Sequence, residues 1–528
     1  VYSTSIKMII ILIIGTTTGI IANHFVALFA TNFTKKNRKL LIRNLESLTI
    51  DQVNDFGVAS LVTRMGNDNN NAQRLIVAFF QMILPSPIMA VISIFMTIKL
   101  SPTLALIPLF TILVFALAIV LTLFKSLPYI LKVQKKLDRM TLVLRERFIG
   151  AKIIRAFDNS KKERDKFNDV AQEYTDNYII INKKFALLSP MAFALMSVVI
   201  TLIIFFGAMK VLNNTLEIGS ITAIVEYSLT TIAALIMSSM VLVQMPKAVV
   251  SIERIEEVLN VTSEIKDKEE LKDNSYYENI LKQNPVSLTF DNVCFRYKGA
   301  EKQILKNISF SIKAGERFAI VGATGSGKST IAKVLLRLND IESGRILING
   351  VDALDLPLNC LRNQISYTPQ KAYIFSGKIK DNFRFTNKDM TDEEMIKIAK
   401  IAQSYDFIDS LPDKFDSFVA QGGTNFSGGQ KQRLSIARAL SKDANIYLFD
   451  DSFSALDYAT DAKLRKELKT FLKDKITIII AQRLNTIADA DKIIVLKDSE
   501  ITGMGTHQEL LESNQEYIEL AKSQGILE

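Results

Sequence analysis

The chain has no tryptophan, two cysteines and two histidines among its 528 residues. Without tryptophan, any aromatic belt at a membrane interface must rest on tyrosine and phenylalanine. Cys294 and Cys360 cannot make a disulfide framework, so a reducing, cytosolic face is expected. With Val1 in first place and no basic region with a cleavage site before the first apolar run, the chain is expected to lack a signal peptide and to be a fragment. Acidic residues fall short of basic ones, 55 against 64, which leaves a net charge of +9. In the first half the basic residues lie between apolar runs, where they orient membrane spans, so no nucleic-acid partner is expected.

Apolar sequence is plentiful. Hydrophobic residues make up 48% of the chain, and mean hydropathy is +0.19 despite a large polar second half. Length alone suggests roughly three or four domain-sized units, but the composition divides more sharply, into an apolar first half and a second half patterned as a soluble α/β domain. Five apolar runs, at about 6–30, 75–98, 104–124, 185–209 and 221–243, are long enough to cross a bilayer, which needs about 20 helical residues. Basic residues follow the first run (Lys35, Lys36, Arg38, Lys39, Arg43, Arg64) and fill the stretch 125–184 between the third and fourth. The links between runs two and three and between runs four and five hold only Lys99 and Lys210. Basic loops stay cytoplasmic, so the second half is expected on the cytoplasmic side. Polar residues within the runs, His24, Gln81, Glu226 and Gln244, are functional candidates or helix-packing partners. Met237, Met240 and Met245 suit an adaptable surface or simple packing. Pro85 and Pro87 are expected to kink their helix.

From position 286 the pattern changes to short β-rich runs. The run at 317–321 feeds Gly322-Ala323-Thr324-Gly325-Ser326-Gly327-Lys328-Ser329-Thr330, and a helical stretch follows. This G-x-x-x-x-G-K-S sequence, between a strand and a helix, is a phosphate-binding P-loop. Its glycines let backbone N–H groups approach phosphates, and the helix N-terminus adds partial positive charge. Lys328 is expected to neutralise the β- and γ-phosphates and Ser329 to reach Mg²⁺. Further on, Asn425-Phe426-Ser427-Gly428-Gly429-Gln430 opens a second helix capped by Ser427. An apolar strand, Ile446-Tyr447-Leu448-Phe449, ends in Asp450-Asp451.

Together these motifs resemble the ATPase domain of ABC transporters, and with the five apolar runs the resemblance to the exporter type extends over essentially the whole chain. It implies a multidomain protein: an all-α transmembrane helical domain (1–255), a linker (256–285) and an α/β P-loop ABC ATPase domain (286–528). Family exporters have six spans. Because residues 51–68 and 145–157 resemble the family's intracellular segments, the five runs correspond to spans two to six, with the first missing. Docking helices are expected near 56–64 and 173–181. The resemblance further implies that Tyr297 stacks on adenine. It makes Gln370 a Mg²⁺ sensor that contacts the membrane domain, and Asp450 a Mg²⁺ holder. Ser427, Gly428, Gly429 and Gln430 would complete the ATP site of the opposite subunit, and Asp457, in Ser454-Ala455-Leu456-Asp457, would lie on a loop crossing between ATPase domains. Phe426 and Gln421 replace a usual leucine and a common glutamate without removing a phosphate contact.

Two positions depart from the family pattern. Asp451 stands where a glutamate polarises the attacking water, and Gln482 stands where a histidine contacts the γ-phosphate. Aspartate is one methylene shorter, and misplacing a reacting group by about 1 Å costs on the order of a hundredfold. The only histidines, His24 and His507, lie in an apolar run and near the C-terminus. Two departures beside an intact second motif resemble the degenerate-site subunit of a heterodimeric multidrug-type exporter. The resemblance implies Mg-ATP binding, a second half-transporter as partner, contact with membrane lipids and an amphipathic drug or lipid as cargo, at the plasma membrane. A homodimer with weak ATPase activity through Asp451 and an ATP-gated channel or regulatory membrane protein are the alternatives. The five apolar runs exclude a soluble ABC ATPase.

Overall fold

The structure, a computed structural model, describes residues 2–268, 274–281 and 286–527. The chain separates into two units: Val1–Ser47 with Val53–Thr262, and Leu48–Gln52 with Ser263–Glu528.

In the first unit, five helical stretches among the described residues are long and apolar enough to cross a membrane: Tyr2–Ser47, Val58–Leu100, Pro102–Ile149, Ser160–Leu212 and Ile218–Ser238. The first four expected runs fall within one of them each, and the fifth, 221–243, starts in the last and ends beyond Ser238. The last continues as the helix Ile218–Asn260, past position 255, the expected limit of the membrane domain. Helices satisfy their backbone groups internally, which a lipid surround requires, and apolar side chains such as Ile11, Leu12 and Phe205 point outward.

The interruption expected at Pro85 and Pro87 takes a definite form. A π-helical turn, Phe79–Ile83, precedes the helix Pro85–Leu100, and Pro85 occupies its first turn. Proline lacks an N–H and crowds the carbonyl four residues back, and the wider turn relieves both conflicts. The Leu84 N–H donates to Phe79 O at 2.8 Å instead.

The first polar excursion is fastened to the last long helix. Arg64, 8% exposed, pairs with Glu257 at 2.8 Å, and the Ser251 hydroxyl donates to Asp68 Oδ1 at 2.9 Å. Short helices occur at Ile50–Phe56, Val58–Thr63 and Ala151–Ala156. The second docking helix, expected near 173–181, is not a separate element. Those residues are the interior of the 27-residue helix Ser160–Ala186, whereas the chain reverses around Gly150 and the left-handed Asp158 (φ 50°). Local breakers at 150 and 158 outweigh the polar composition of 173–181, which continues a regular helix.

Of the expected linker, positions 269–273 and 282–285 lie outside the described residues, and Asn274–Leu281 is a short helix.

The second unit contains twelve described strands: β1 (Ser287–Phe295), β2 (Leu305–Lys313), β3 (Arg317–Gly322), β4 (Ser343–Ile348), β5 (Val351–Asp352), β6 (Ile365–Thr368), β7 (Gly377–Lys378), β8 (Phe418–Val419), β9 (Ile446–Asp450), β10 (Ile476–Ile480), β11 (Lys492–Lys497) and β12 (Glu500–Gly505). The central sheet has the order β12-β11-β3-β10-β9-β6 and is parallel apart from the β11–β12 pair. A second, four-stranded sheet has the order β2-β1-β4-β5, and β7 pairs with β8. The central strands are near-continuous apolar runs because both faces are covered. Alternate residues enter different cores. Ala319, Val321 and Ile479 face one, and Phe318, Ile320 and Ile478 face the other. Phe318 extends the stack Phe290–Phe310–Phe318, with ring centroids 4.5 and 4.8 Å apart, joining the second sheet to the first.

Candidate functional site

Parallel strands in register bring their carboxyl ends to one edge of a sheet, where ligands of open α/β folds bind. Here β3, β10 and β9 are neighbours, with Ile480 paired to Ile320 on one side and to Asp450 on the other. The segments that follow them therefore meet: the loop 322–330 after β3, Gln482 after β10 and Asp451 after β9. Gln370, just beyond β6, joins from the far side of β9.

The loop is shaped around its own lysine. Lys328 Nζ donates to Gly322 O at 2.8 Å and to Ala323 O at 2.7 Å. Ala323, Thr324 and Gly325 form the exposed tip, while Ser326, Gly327, Lys328 and Thr330 are buried. Gly327 has φ 101° and initiates the helix Lys328–Leu335. A Cβ there would lie 2.6 Å from Ile304 O, so the turn requires glycine. Burial pushes the Lys328 ammonium below its usual pKa, against the pull of Asp451 and Asp450. The Ser326 Oγ is buried and has no hydrogen-bond partner. An orphaned hydroxyl, a free helix N-terminus and an exposed glycine-rich tip fit a phosphate group.

Asp450, 3% exposed, accepts from Ser329 Oγ at 3.0 Å through Oδ1 and from the Tyr367 hydroxyl at 3.3 Å through Oδ2. Burial raises its pKa, and the two hydroxyl donors oppose that rise. Tyr367 is pushed up in turn, by burial first and then by the Asp450 charge. The adjacent hydroxyl and carboxylate, Ser329 and Asp450, are hard oxygen ligands of the kind Mg²⁺ takes.

Asp451 is buried and has a left-handed backbone, φ 46°. Its Oδ2 accepts from Gln482 Nε2 at 3.0 Å and from Gln370 Nε2 at 3.2 Å. Burial raises its pKa, opposed by the Gln370 hydrogen bond and then by Lys328.

Tyr297 lies beside the loop's helix. Its hydroxyl is 3.4 Å from Thr330 Oγ1, and Lys333 Nζ donates to it at 3.1 Å while sitting 5.1 Å from the ring centroid. Ser427, Gly428, Gly429 and Gln430 are not part of this cluster. Ser427 and Gln430 form a reciprocal capping box, with Ser427 N–H donating to Gln430 Oε1 at 2.9 Å and Gln430 N–H to Ser427 Oγ at 3.3 Å. Ser427 and Gly428 are exposed. Asp457 is also exposed and caps the helix Tyr458–Phe471 by accepting from Thr460 N–H at 2.9 Å. In the membrane unit, Gln81 Nε2 donates to Asn23 Oδ1 at 3.0 Å, while His24 and Glu226 are exposed; the side chains of Met240 and Gln244 lie outside those described.

Sequence reasoning missed Tyr367, Lys333 and Asn23. Tyr367 alternates with Ser366 and Thr368 on β6 beside β9, a strand-pattern signal that becomes informative once the strand order is known. Asn23 carries a weaker one, a polar residue next to His24 in an apolar run.

A P-loop nucleotide domain following a multi-helix membrane domain defines a membrane-bound ATPase that couples ATP hydrolysis to transport. Residues 305–454 match the sequence profile of the ABC transporter family, and residues 1–235 match that of the ABC transporter transmembrane region. The chain is 32% identical over 517 residues, 98% of its length and 88% of the relative's, to the uncharacterised ABC transporter ATP-binding protein YfiB of Bacillus subtilis. Over 387 residues, 73% of this chain and 66% of the relative, it is 33% identical to the ATP-dependent lipid A-core flippase of Desulfotalea psychrophila. The solved structure of a bacterial Atm1-family ABC exporter with ATP bound superposes with a TM-score of 0.80, covering 94% of this chain and 86% of that one at 24% identity, and shows the same fold. The chain belongs to the ABC transporter family. It is a multi-pass exporter half with fused membrane and ATPase domains, the ATPase domain cytoplasmic.

Proposed function

We propose that this chain is the slow-site subunit of a heterodimeric exporter, moving amphipathic drugs or lipids out of the cytoplasm across the plasma membrane. The observation that carries the reading is the pairing of Asp451 with Gln482, 3.0 Å apart, at positions where the family places glutamate and histidine.

In this reading the backbone of Gly322, Ala323, Thr324, Gly325, Ser326, Gly327, Lys328, Ser329 and Thr330 cradles the phosphates of ATP, and Tyr297 stacks on its adenine. Ser329, Asp450 and Gln370 hold Mg²⁺, which would neutralise charge on the phosphates when bound. Asp451 is a short and weak base. Gln482 is a neutral amide and cannot become a cation as imidazole can. Ser427, Gly428, Gly429 and Gln430, exposed at a capped helix N-terminus, complete the partner's competent site, and Asp457 lies on the loop that faces it. ATP gripped here acts mainly as a clamp between ATPase domains, and turnover occurs in the partner-associated site. A lipid-type cargo is supported by the likeness to a lipid A-core flippase.

ATPase activity of the chain alone, compared with that of the chain and its co-purifying subunit, tests the division of labour. Slow turnover alone and fast turnover together are expected. Brisk turnover alone that Asp451→Asn abolishes would overturn it.

A further inference from the structure

Asp451 directly follows β9, and the strands on either side of β9 are β10 and β6. Each neighbour sends one amide to the same atom. Gln482, beyond β10, and Gln370, beyond β6, both donate to Asp451 Oδ2, at 3.0 and 3.2 Å. The main chain of Asp451 is fixed as well, since its N–H donates to Ile480 O at 2.8 Å and its carbonyl accepts from Ser454 Oγ at 2.9 Å. Gln482 is anchored in turn: its carbonyl accepts from Gln524 Nε2 at 2.8 Å.

We propose that Gln482 is a positioning residue that restrains Asp451: with Gln370 it forms an amide clamp on Oδ2 that holds the carboxylate in one rotamer. This deepens the slow-site reading and rests on it. Two donors on one oxygen remove the side-chain freedom that a short aspartate needs to reach a reacting atom. Slow chemistry at this site is therefore caused by Gln482 as well as by the missing methylene of Asp451.

The test measures ATP turnover of the full chain alone in lipid nanodiscs, free of any second subunit. Gln482→Leu and Gln482→Met both remove the donor and keep the bulk, so one decides if the other misfolds. The expected result is a rise in kcat of at least about threefold at an unchanged KM for ATP. That rise disappears when Asp451→Asn is added, because it runs through Asp451. An unchanged or lower kcat overturns the clamp, and so does a gain that persists with Asp451→Asn. The two readings fail differently. A brisk wild-type rate overturns the slow site, whereas a slow wild type that neither substitution speeds overturns the clamp alone.

Discussion

In the proposed reading, Gln482 and Asp451 are the residues that set turnover at this site. Restoring the family pattern with Asp451→Glu and Gln482→His lengthens the base and supplies a donor that can carry positive charge. We expect ATP turnover at this site to rise on the order of a hundredfold, measured on the reconstituted chain. The doubly substituted site should also acquire a pH-dependent limb near about 6.5, the ordinary imidazole pKa, which the wild type lacks. Another residue reports on folding. The Asp489 carboxylate is desolvated, yet the hydrogen bond and charge of Arg317, with help from Arg465, hold its pKa below the usual range. A depressed pKa means that its stabilisation is present above the ordinary carboxylate pKa and is lost as pH falls through the lowered one. Asp489→Asn should therefore flatten the dependence of melting temperature on pH below about 4. At neutral pH it should cost about 1–2 kcal/mol, since Arg317 is nearly buried but Asp489 is partly exposed. The identities at 451 and 482 were legible in sequence as departures from a family pattern. The double hydrogen bond on Oδ2 was not, because it depends on β6 and β10 flanking β9, a pairing of segments far apart in the chain.

At the scale of elements, legibility followed the strength of the local rule. The apolar runs were readable because a bilayer demands about 20 apolar residues in a helix. The helix after Ser427 was readable because a serine N-cap opens it, and the structure adds the reciprocal bond from Gln430. The short helix Ala151–Ala156 was not, since six residues carry no periodic pattern and its ends are set by Gly150 and Asp158. Ser427→Ala should cost about 1 kcal/mol of stability through the lost cap. If this helix also faces the partner's nucleotide, the same substitution should lower turnover of the assembled transporter far more than that loss implies, as ATPase assays and thermal melts made side by side would show. Gly207 marks a close approach in the membrane unit. A Cβ added there would lie 2.9 Å from Ile221 Cγ1, so Gly207→Leu should separate the helices Leu188–Leu212 and Ile218–Asn260 and lower the yield of folded protein in membranes.

For the whole molecule, the family and the two-part organisation were written in the motifs. Cargo was not, because membrane-embedded polar residues such as Asn23 and Gln81 specify hydrogen bonding without specifying a compound. Nucleotide binding can be tested apart from turnover. At ATP near 100 times its dissociation constant, binding should stabilise the chain by about 2.7 kcal/mol, read as a rise in melting temperature. Lys328→Ala should abolish that rise, whereas Asp451→Asn should leave it in place.

The left-handed torsion at Asp451 has an evolutionary consequence. Aspartate is among the few non-glycine residues enriched in that conformation, and glutamate is not. Aspartate therefore occupies this twisted peptide with less strain than a glutamate would. A variant selected for a longer acid at 451 would take on that tension and should gain compensating changes nearby before it persisted.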